Sequence, residues 1–291
     1  MKITDVKLQV LRHEVPKGTI AADFGGYGGG TEMAVLRLLT DEGLEGNTFV
    51  GSFNVGGRLL FEPIIAYLKP AIMGMDIADR EWLWSRVFTR LGQMAHRYKM
   101  PTVPWSMVDG ALWDLAGKAA GMPIYQMLGA QRRKVLAYAS SPYHKDIARY
   151  VEEGIEYQRR GFKAYKIHPG EGDPKRLKDI ARRVRDAVGD DMALMIDSSQ
   201  LLTFQDALSV GRVLDELHYY WFEDAIRYTD MDGLIELSRR LDTPIAATDH
   251  GDFRFYEAVE YVERKAIRIL RSDSPKMGIT GLKKLCILCE A

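Results

Sequence analysis

Four acidic residues recur at nearly equal intervals in the second half of this 291-residue chain, and each follows a short apolar run. The runs ALMID, HYYWFE, PIAATD and IRILRSD end at Asp197, Glu223, Asp249 and Asp273, which are 26, 26 and 24 residues apart. Such an interval is about the length of one strand, one helix and two loops. Acids at the carboxyl ends of successive strands are typical of (β/α)-barrel active sites. The spacing therefore predicts an α/β fold in which these carboxylates converge.

Strand and helix patterns alternate from Lys134 to the last residue and give six strand–helix units, beginning with a predicted strand at Val135–Ala139. This repetition implies a parallel sheet with right-handed crossovers. A closed barrel, however, requires eight units, and an open sheet of six strands would leave its apolar edges exposed. We therefore expect the native protein to continue beyond Ala291, so that the barrel is truncated in this sequence.

The first part of the chain has a different pattern. Two extended runs meet at a turn signal, DEG, at residues 41–43, and helical periodicity follows over residues 57–128. The glycine-rich loop Ala22–Gly30 precedes them and is interpreted either as a lid over a ligand or as a surface loop without a role. We predict two domains, a strand-plus-helix domain over 1–125 and a (β/α)-barrel domain over 126–291.

Composition narrows the class of protein. Lys plus Arg and Asp plus Glu both total 40, so nothing in the net charge favours binding to nucleic acid or to a membrane surface. No apolar run approaches the ~18 residues that span a bilayer. The two cysteines, Cys286 and Cys289, are too few for a disulfide framework and indicate a reducing compartment, so we expect a cytoplasmic protein. Their CxxC lies in a predicted helix, where we expect buried, reduced thiols.

Three of the recurring acids, Asp197, Glu223 and Asp249, form the candidate metal site. Three hard oxygen ligands from adjacent strands favour Mg²⁺ over Zn²⁺. They would leave coordination positions open for an oxygen-rich substrate. Each acid alone could instead be the N-cap of the helix that follows it. Capping does not require convergence, however, so the regular spacing favours the metal site.

Lys166 and His168 lie two residues apart in the run FKAYKIH, so their side chains should share one face of a strand. In a barrel that face is the interior, where a lysine must be paired or functional. A neighbouring cation and partial burial would lower the pKa of either group and suit a general base. For His168 a purely structural role is the alternative. Asp273 is left open at this point as a fourth ligand, the partner of a histidine, or a helix cap.

Six segments of the chain resemble motifs of one enzyme superfamily. They are VDGALWDLAGKAAGMPIYQMLGA, GFKAYKIHPG, IDSSQ, WFEDAI, PIAATDH and RSDSPKMGITGLKK. The first is similar to the helix that leads into the barrel, the second to a K-x-K strand, the next three to metal-ligand strands and the last to the sixth strand. Through these motifs essentially the whole chain resembles the mandelate racemase/muconate lactonizing group of the enolase superfamily.

The resemblance implies a TIM-like (β/α) barrel with an N-terminal α+β capping domain, and a homo-oligomer. It implies Mg²⁺ held by Asp197, Glu223 and Asp249, and removal of the proton α to a carboxylate through an enediolate. It further implies that Asp273 orients a histidine on a seventh strand beyond residue 291. Lys166 and His168 then occupy the positions of the base.

This chain departs from the family pattern at several of those positions. His168 stands in place of the second lysine of K-x-K, so the base is an imidazole, and Lys166 contacts the substrate carboxylate or tunes the histidine. Ser199 replaces the usual Asn after the first ligand, and Ala225 replaces a common Pro. Asp249 replaces a Glu and is one methylene shorter, which would weaken its bond to the metal or insert a water.

The favoured function is a Mg²⁺-dependent dehydratase that acts on a small-molecule carboxylate substrate, a sugar acid. After removal of the α-proton the β-hydroxyl leaves with help from a general acid, a step that suits a protonated histidine. One alternative is a racemase or epimerase of an α-substituted carboxylate with bases on opposite faces of the carbon. A second alternative is a non-catalytic member of the superfamily, because a fold alone does not guarantee activity.

Overall fold

The structure is a computed structural model that describes residues 1–14, 30–52, 57–86, 102–170, 172–248 and 255–291. Strands in these ranges are β1 Ile3–Glu14, β2 Gly30–Thr40, β3 Glu45–Ser52, β4 Ala139–Ser140, β5 Ala164–Ile167, β6 Ala193–Asp197, β7 Trp221–Glu223, β8 Ile245–Ala247 and β9 Ile269–Leu270. The longer helices are α1 Val103–Ala120, α2 Ile147–Arg159, α3 Pro174–Val188, α4 Phe204–Glu216, α5 Met231–Arg240, α6 Phe255–Glu263 and α7 Ser274–Glu290. Shorter helical segments are Gly57–Leu60, Glu62–Leu68, Lys69–Ile72, Ile77–Asp79 and Ile124–Met127.

Spatial contacts divide the chain into two compact units. One is Met1–Arg133 together with Ser272–Ala291, and the other is Lys134–Arg271. The C-terminal helix α7 therefore groups with the N-terminal unit, although the barrel domain predicted over 126–291 includes it. The division into domains 1–125 and 126–291 stays a prediction.

The N-terminal unit contains an antiparallel sheet with the order β1-β2-β3. The turn between β2 and β3 needs a left-handed residue, and Gly43 supplies it with a φ of 79°. Helix α1 packs directly on β3, because a Cβ at Gly46 would lie 2.3 Å from the carbonyl oxygen of Ala111. Twelve residues of α1 are buried, which explains its largely apolar sequence. The helix ends at Gly121, which has a φ of 60° and is followed by Pro123 after one residue.

Helix α7 is held in the same unit by a buried network with α1. Gly278 has a φ of 69° and a ψ of 171°, which are not helical values, so α7 is kinked at this residue. Regular helical structure begins again after it. At this restart the Asp109 carboxylate accepts hydrogen bonds from the backbone N–H of Thr280 at 2.9 Å and from its hydroxyl at 2.6 Å. Trp113 Nε1 donates to the same Thr280 hydroxyl at 2.9 Å. Asp109 on α1 thus caps the part of α7 that follows Gly278.

The two cysteines correct one prediction made from the sequence. Cys286 and Cys289 lie in α7 as free thiols, as expected, but both are exposed rather than buried. The burial prediction was wrong because α7 buries the face that carries Gly281 and Leu285, four residues apart on one side of the helix. The CxxC lies on other faces of the same helix.

The second unit consists of a six-stranded parallel sheet in the order β4-β5-β6-β7-β8-β9, with helices α2–α6 between successive strands. This confirms the predicted repetition of strand–helix units and the α/β fold class. The first predicted strand, Val135–Ala139, is wrong in its bounds, because β4 pairs with β5 only at Ala139 and Ser140. Val135 and Leu136 precede it and are 81% and 97% exposed. Among the described residues, no helix has both the length and the apolar composition that crossing a membrane requires.

Candidate active site

Strand register brings four of the predicted site residues onto one face of the sheet. Lys166 on β5 pairs with Met195 on β6, and Asp197 at the end of β6 pairs with Glu223 at the end of β7. Side chains alternate along a strand, so Lys166 and His168 share a face with Asp197. Asp197 and Glu223 are 2% and 0% exposed. Both carboxylates are therefore buried side by side at the carboxyl ends of adjacent strands.

Helix capping does not account for these two carboxylates. The helix after β6 is capped by Thr203, whose hydroxyl accepts from the N–H of Asp206, and the helix after β7 is capped by Asp230. Asp197 and Glu223 are consequently not needed as N-caps. The N-cap role that the sequence left open for each acid is therefore wrong for Asp197 and Glu223.

Lys166 links the two carboxylates. Its Nζ lies 2.9 Å from Glu223 Oε2 and 3.3 Å from Asp197 Oδ2, and its side chain is 2% exposed. The two oxygens thus point at one common position that a cation fills. A lysine this deeply buried is stable because it forms charge-assisted hydrogen bonds to both acids.

His168 is held on both sides of its ring. Nε2 lies 3.3 Å from Asp197 Oδ2, and Nδ1 lies 2.8 Å from the carbonyl oxygen of Ser141. A carbonyl oxygen can only accept, so Nδ1 carries a proton and Nε2 is the atom at which the ring gains or loses one. The backbone N–H of His168 also donates to the Ser141 hydroxyl at 2.9 Å. With its side chain 30% exposed, His168 is reachable from solvent while Lys166 is not.

Opposing influences act on the pKa of Asp197. Burial by itself would raise that pKa, but the hydrogen bond from His168 and the charge of Lys166 outweigh burial, and the backbone N–H of Ser199 adds to their effect. The pKa of Asp197 is therefore held below its usual value. The carboxylate is ionised at neutral pH and available to a cation.

Two further residues of the cluster were missed from the sequence. Arg271 Nη1 lies 2.7 Å from Glu223 Oε1, and Trp221 Nε1 donates to Glu223 Oε2 at 3.1 Å. Arg271 directly follows β9, in the same run that ends at Asp273. A basic residue at the carboxyl end of a parallel strand was the signal available for Arg271 in the sequence.

Backbone strain is concentrated just after the strands that carry the acids. Ser199, Gln200, Asp224 and Thr248 have φ values of 50°, 64°, 44° and 91°. None of them is glycine, and Thr248 is β-branched, so these conformations are costly and persist only where the surroundings enforce them. Strain of this kind is typical of functional sites.

Two predicted site residues remain, Asp273 and Asp249. The side chain of Asp273 accepts from the N–H of Lys276 at 3.2 Å and caps α7 in the N-terminal unit. That contact agrees with the capping alternative, and a role in orienting a histidine stays a prediction. Asp249 lies outside the described residues, as do residues 22–29 of the predicted lid loop.

The donor set has the chemistry of a hard-cation site. Asp197 Oδ2 and Glu223 Oε2 are anionic oxygens that already share one cation, Lys166 Nζ, which shows that both can face a single positive centre. Within the described ranges no group of three or more His, Cys, Asp or Glu side chains has the geometry of a metal site. The third predicted ligand, Asp249, lies outside those ranges. The two placed carboxylates are compatible with Mg²⁺, and the complete ligand set stays a prediction.

Two protein-family models match this chain. The one described as mandelate racemase/muconate lactonizing enzyme, N-terminal domain, matches residues 24–129, and the one described as enolase C-terminal domain-like matches residues 146–291. The second alone extends over half of the chain. The two matches lie in the same order as the two predicted domains.

Similar proteins include sugar-acid dehydratases. An arabinonate dehydratase from Saccharolobus solfataricus is 34% identical over 71% of this chain and 56% of its own length. An L-talarate/galactarate dehydratase from Salmonella typhimurium is 29% identical over 85% of this chain and 63% of its own length. The chain thus spans less than two thirds of these relatives. A crystal structure of D-glucarate dehydratase from Agrobacterium tumefaciens complexed with magnesium has a TM-score of 0.86 at 28% identity, covering 100% of this chain and 78% of that one.

Proposed function

Because the chain belongs to the mandelate racemase/muconate lactonizing group of the enolase superfamily, we propose that it removes the α-proton of a carboxylate substrate with the help of Mg²⁺. Within that chemistry we favour dehydration of a sugar acid. The relatives named as arabinonate and L-talarate/galactarate dehydratases support this substrate class. The observation that carries the proposal is the buried Asp197–Glu223 pair with His168 Nε2 beside it at the carboxyl ends of parallel strands.

His168 is the proton acceptor in this proposal. Its Nδ1 proton is fixed on the carbonyl oxygen of Ser141, so the ring faces the site with Nε2. The C–H bond at the α-carbon breaks, the proton moves to Nε2, and the electron pair is delocalised into the substrate carboxylate. A group 30% exposed at the site can meet a substrate that enters from solvent.

Lys166 is assigned an electrostatic role rather than that of a base. It is 2% exposed and its ammonium group contacts both Asp197 and Glu223. Without this cation two buried carboxylates would lose the partner that they share, which is unfavourable. Its positive charge instead holds the two acids together.

Asp197 and Glu223, together with Asp249, would hold Mg²⁺. When bound, the ion stabilises the negative charge that develops on the substrate carboxylate as the α-proton leaves. The depressed pKa of Asp197 keeps that ligand anionic. The Trp221 indole N–H and Arg271 limit the orientations open to Glu223.

Dehydration then completes the reaction. The β-carbon–oxygen bond breaks, the hydroxyl takes a proton and leaves as water, and the resulting enol tautomerises to a 2-keto acid. A protonated imidazole is suited to supply that proton. No external oxidant or reductant is required, because the oxidation of the α-carbon is balanced by the reduction of the β-carbon.

The test is a screen of a sugar-acid library with the full chain and Mg²⁺, in which 2-keto acids are trapped with semicarbazide and measured by absorbance. We expect one or more sugar acids to yield a keto acid. Exchange of the α-proton for deuterium without any keto product would replace dehydration by racemisation or epimerisation. Failure of both assays, together with no Mg²⁺ binding by calorimetry, would identify a non-catalytic member of the superfamily.

A further inference from the structure

Arg271 is anchored to its neighbours by both backbone and side chain. Its backbone N–H donates to the carbonyl oxygen of Ala247 at 3.0 Å, and its own carbonyl oxygen accepts from the hydroxyl of Thr248. Its guanidinium lies 2.7 Å from Glu223 Oε1 and is one-third exposed. The guanidinium is thus fixed against the oxygen of Glu223 that Lys166 does not contact.

Each buried carboxylate of the described cluster has a cationic partner. Two carboxylates, Asp197 and Glu223, face two permanent cations, Lys166 and Arg271. Glu223 is fully buried, yet both of its oxygens have cationic hydrogen-bond donors. Buried carboxylates are costly unless they are paired in this way.

From this arrangement we propose that Arg271 is a positioning residue, the resident counter-ion of Glu223, and that it weakens Mg²⁺ binding by competing with the ion for that carboxylate. The inference rests on the proposed function, because it takes Glu223 as a ligand. Its consequence is a protein that stays folded without metal and exchanges the ion readily.

Two electrostatic effects of Arg271 act in the same direction. In the metal-free protein its charge stabilises Glu223, which lowers the gain available from Mg²⁺. In the metal-bound protein its charge on one oxygen of Glu223 repels a divalent ion held by the same carboxylate. Removing the charge of Arg271 therefore raises Mg²⁺ affinity in two ways, because it destabilises the metal-free protein and relieves repulsion in the metal-bound protein.

The test measures Mg²⁺ dissociation constants by calorimetry in the full chain. For Arg271→Gln we expect the constant to fall by about tenfold or more, since even a water-like dielectric leaves an appreciable repulsion at this range. Arg271→Lys keeps the charge and should stay close to wild type. The matched control is Arg240→Gln, which removes one charge from an exposed pair with Glu236 in the same unit.

Thermal unfolding gives a second readout that does not depend on turnover. Arg271→Gln should have a lower midpoint than wild type without metal and gain more from added Mg²⁺, because the ion replaces the missing cation. If this variant folds only when Mg²⁺ is present, the inference is supported. If Mg²⁺ cannot restore its fold, the inference is overturned.

The outcomes separate this inference from the proposed function. Mg²⁺ binding by wild type with equal or weaker binding by Arg271→Gln would overturn the role of Arg271 and leave the metal site intact. Absence of Mg²⁺ binding in both proteins would overturn both. Tighter binding that Arg271→Lys also shows would assign the effect to side-chain shape and overturn the charge argument.

Discussion

Lys166 Nζ lies 2.9 Å from Glu223 Oε2, and these two side chains are 2% and 0% exposed. They come from strands that are not neighbours, since β6 lies between them, and Asp197 on β6 completes the ion cluster. The pair places a cation at the position toward which both acids point. We therefore expect charge at this position to couple the stability of the protein to the proposed binding of Mg²⁺.

Replacing the lysine in this cluster tests that link. Lys166→Met should lower the free energy of unfolding without metal by roughly 3–5 kcal/mol, the usual cost of removing one partner of a buried ion pair. Added Mg²⁺ should recover part of the loss because it supplies positive charge to the same oxygens. Urea unfolding with and without Mg²⁺ measures both effects. Lys178→Met, which removes a partly buried bond to Ser209, serves as the control.

Replacing the proposed base separates catalysis from metal binding. His168→Asn should lower turnover by about 10²–10⁴-fold, the typical contribution of a general base, while the calorimetric affinity for Mg²⁺ stays unchanged. His218→Asn is a matched control, because His218 is exposed and has a φ of 53°, a conformation that Asn tolerates. Full activity in the His168 variant would remove this residue from the mechanism.

The third predicted ligand, Asp249, is tested by removing its charge. Asp249→Asn should raise the Mg²⁺ dissociation constant, because an amide oxygen is a weaker ligand than a carboxylate. Asp242→Asn is the control. Asp242 lies before the amino end of β8, whereas Asp249 follows the carboxyl end in the sequence. Equal Mg²⁺ affinity in wild type and the Asp249 variant would exclude Asp249 from the ligand set.

The cap that Asp109 forms on α7 predicts a pH dependence of stability. Burial raises the pKa of Asp109, and the hydrogen bonds from Thr280 only partly offset it. The folded protein then holds this proton more tightly than the unfolded chain, so the contribution of the group to stability is complete below the ordinary Asp pKa. It is lost as pH rises through the raised pKa.

The measurement compares wild type with Asp109→Asn in urea unfolding at a series of pH values. The stability of wild type relative to the variant should decrease as pH rises between those two pKa values. Asp114→Asn on the same helix is the control, because Asp114 is partly exposed and forms an i,i+4 ion pair with Lys118. An increase with pH would show that the folded-state pKa is depressed instead.

Local periodicity explains what could be predicted from the sequence. The interval between Asp197 and Glu223 follows from the length of a strand–helix unit, and the common face of Lys166 and His168 follows from the alternation of a strand. Both predictions depend only on residues close in sequence and on the standard order of parallel strands.

The contacts that could not be predicted join distant residues. Arg271 and Glu223 are 48 residues apart, and Thr280 and Asp109 are 171 apart. A periodic pattern carries no information on which distant side chain meets which. The positive φ of Thr248 was equally hidden, because a threonine does not signal that conformation in a sequence as glycine or asparagine does.

The hydrogen bond from Trp221 Nε1 to Glu223 Oε2 gives the site an optical reporter of its own. Indole emission responds to the charge and hydrogen bonding of its N–H group, so a ligand that draws Glu223 away from Trp221 changes the fluorescence of the protein. Loading of the site can then be followed in real time without a label. The rate of the proposed cation exchange on Glu223 would thereby become directly measurable.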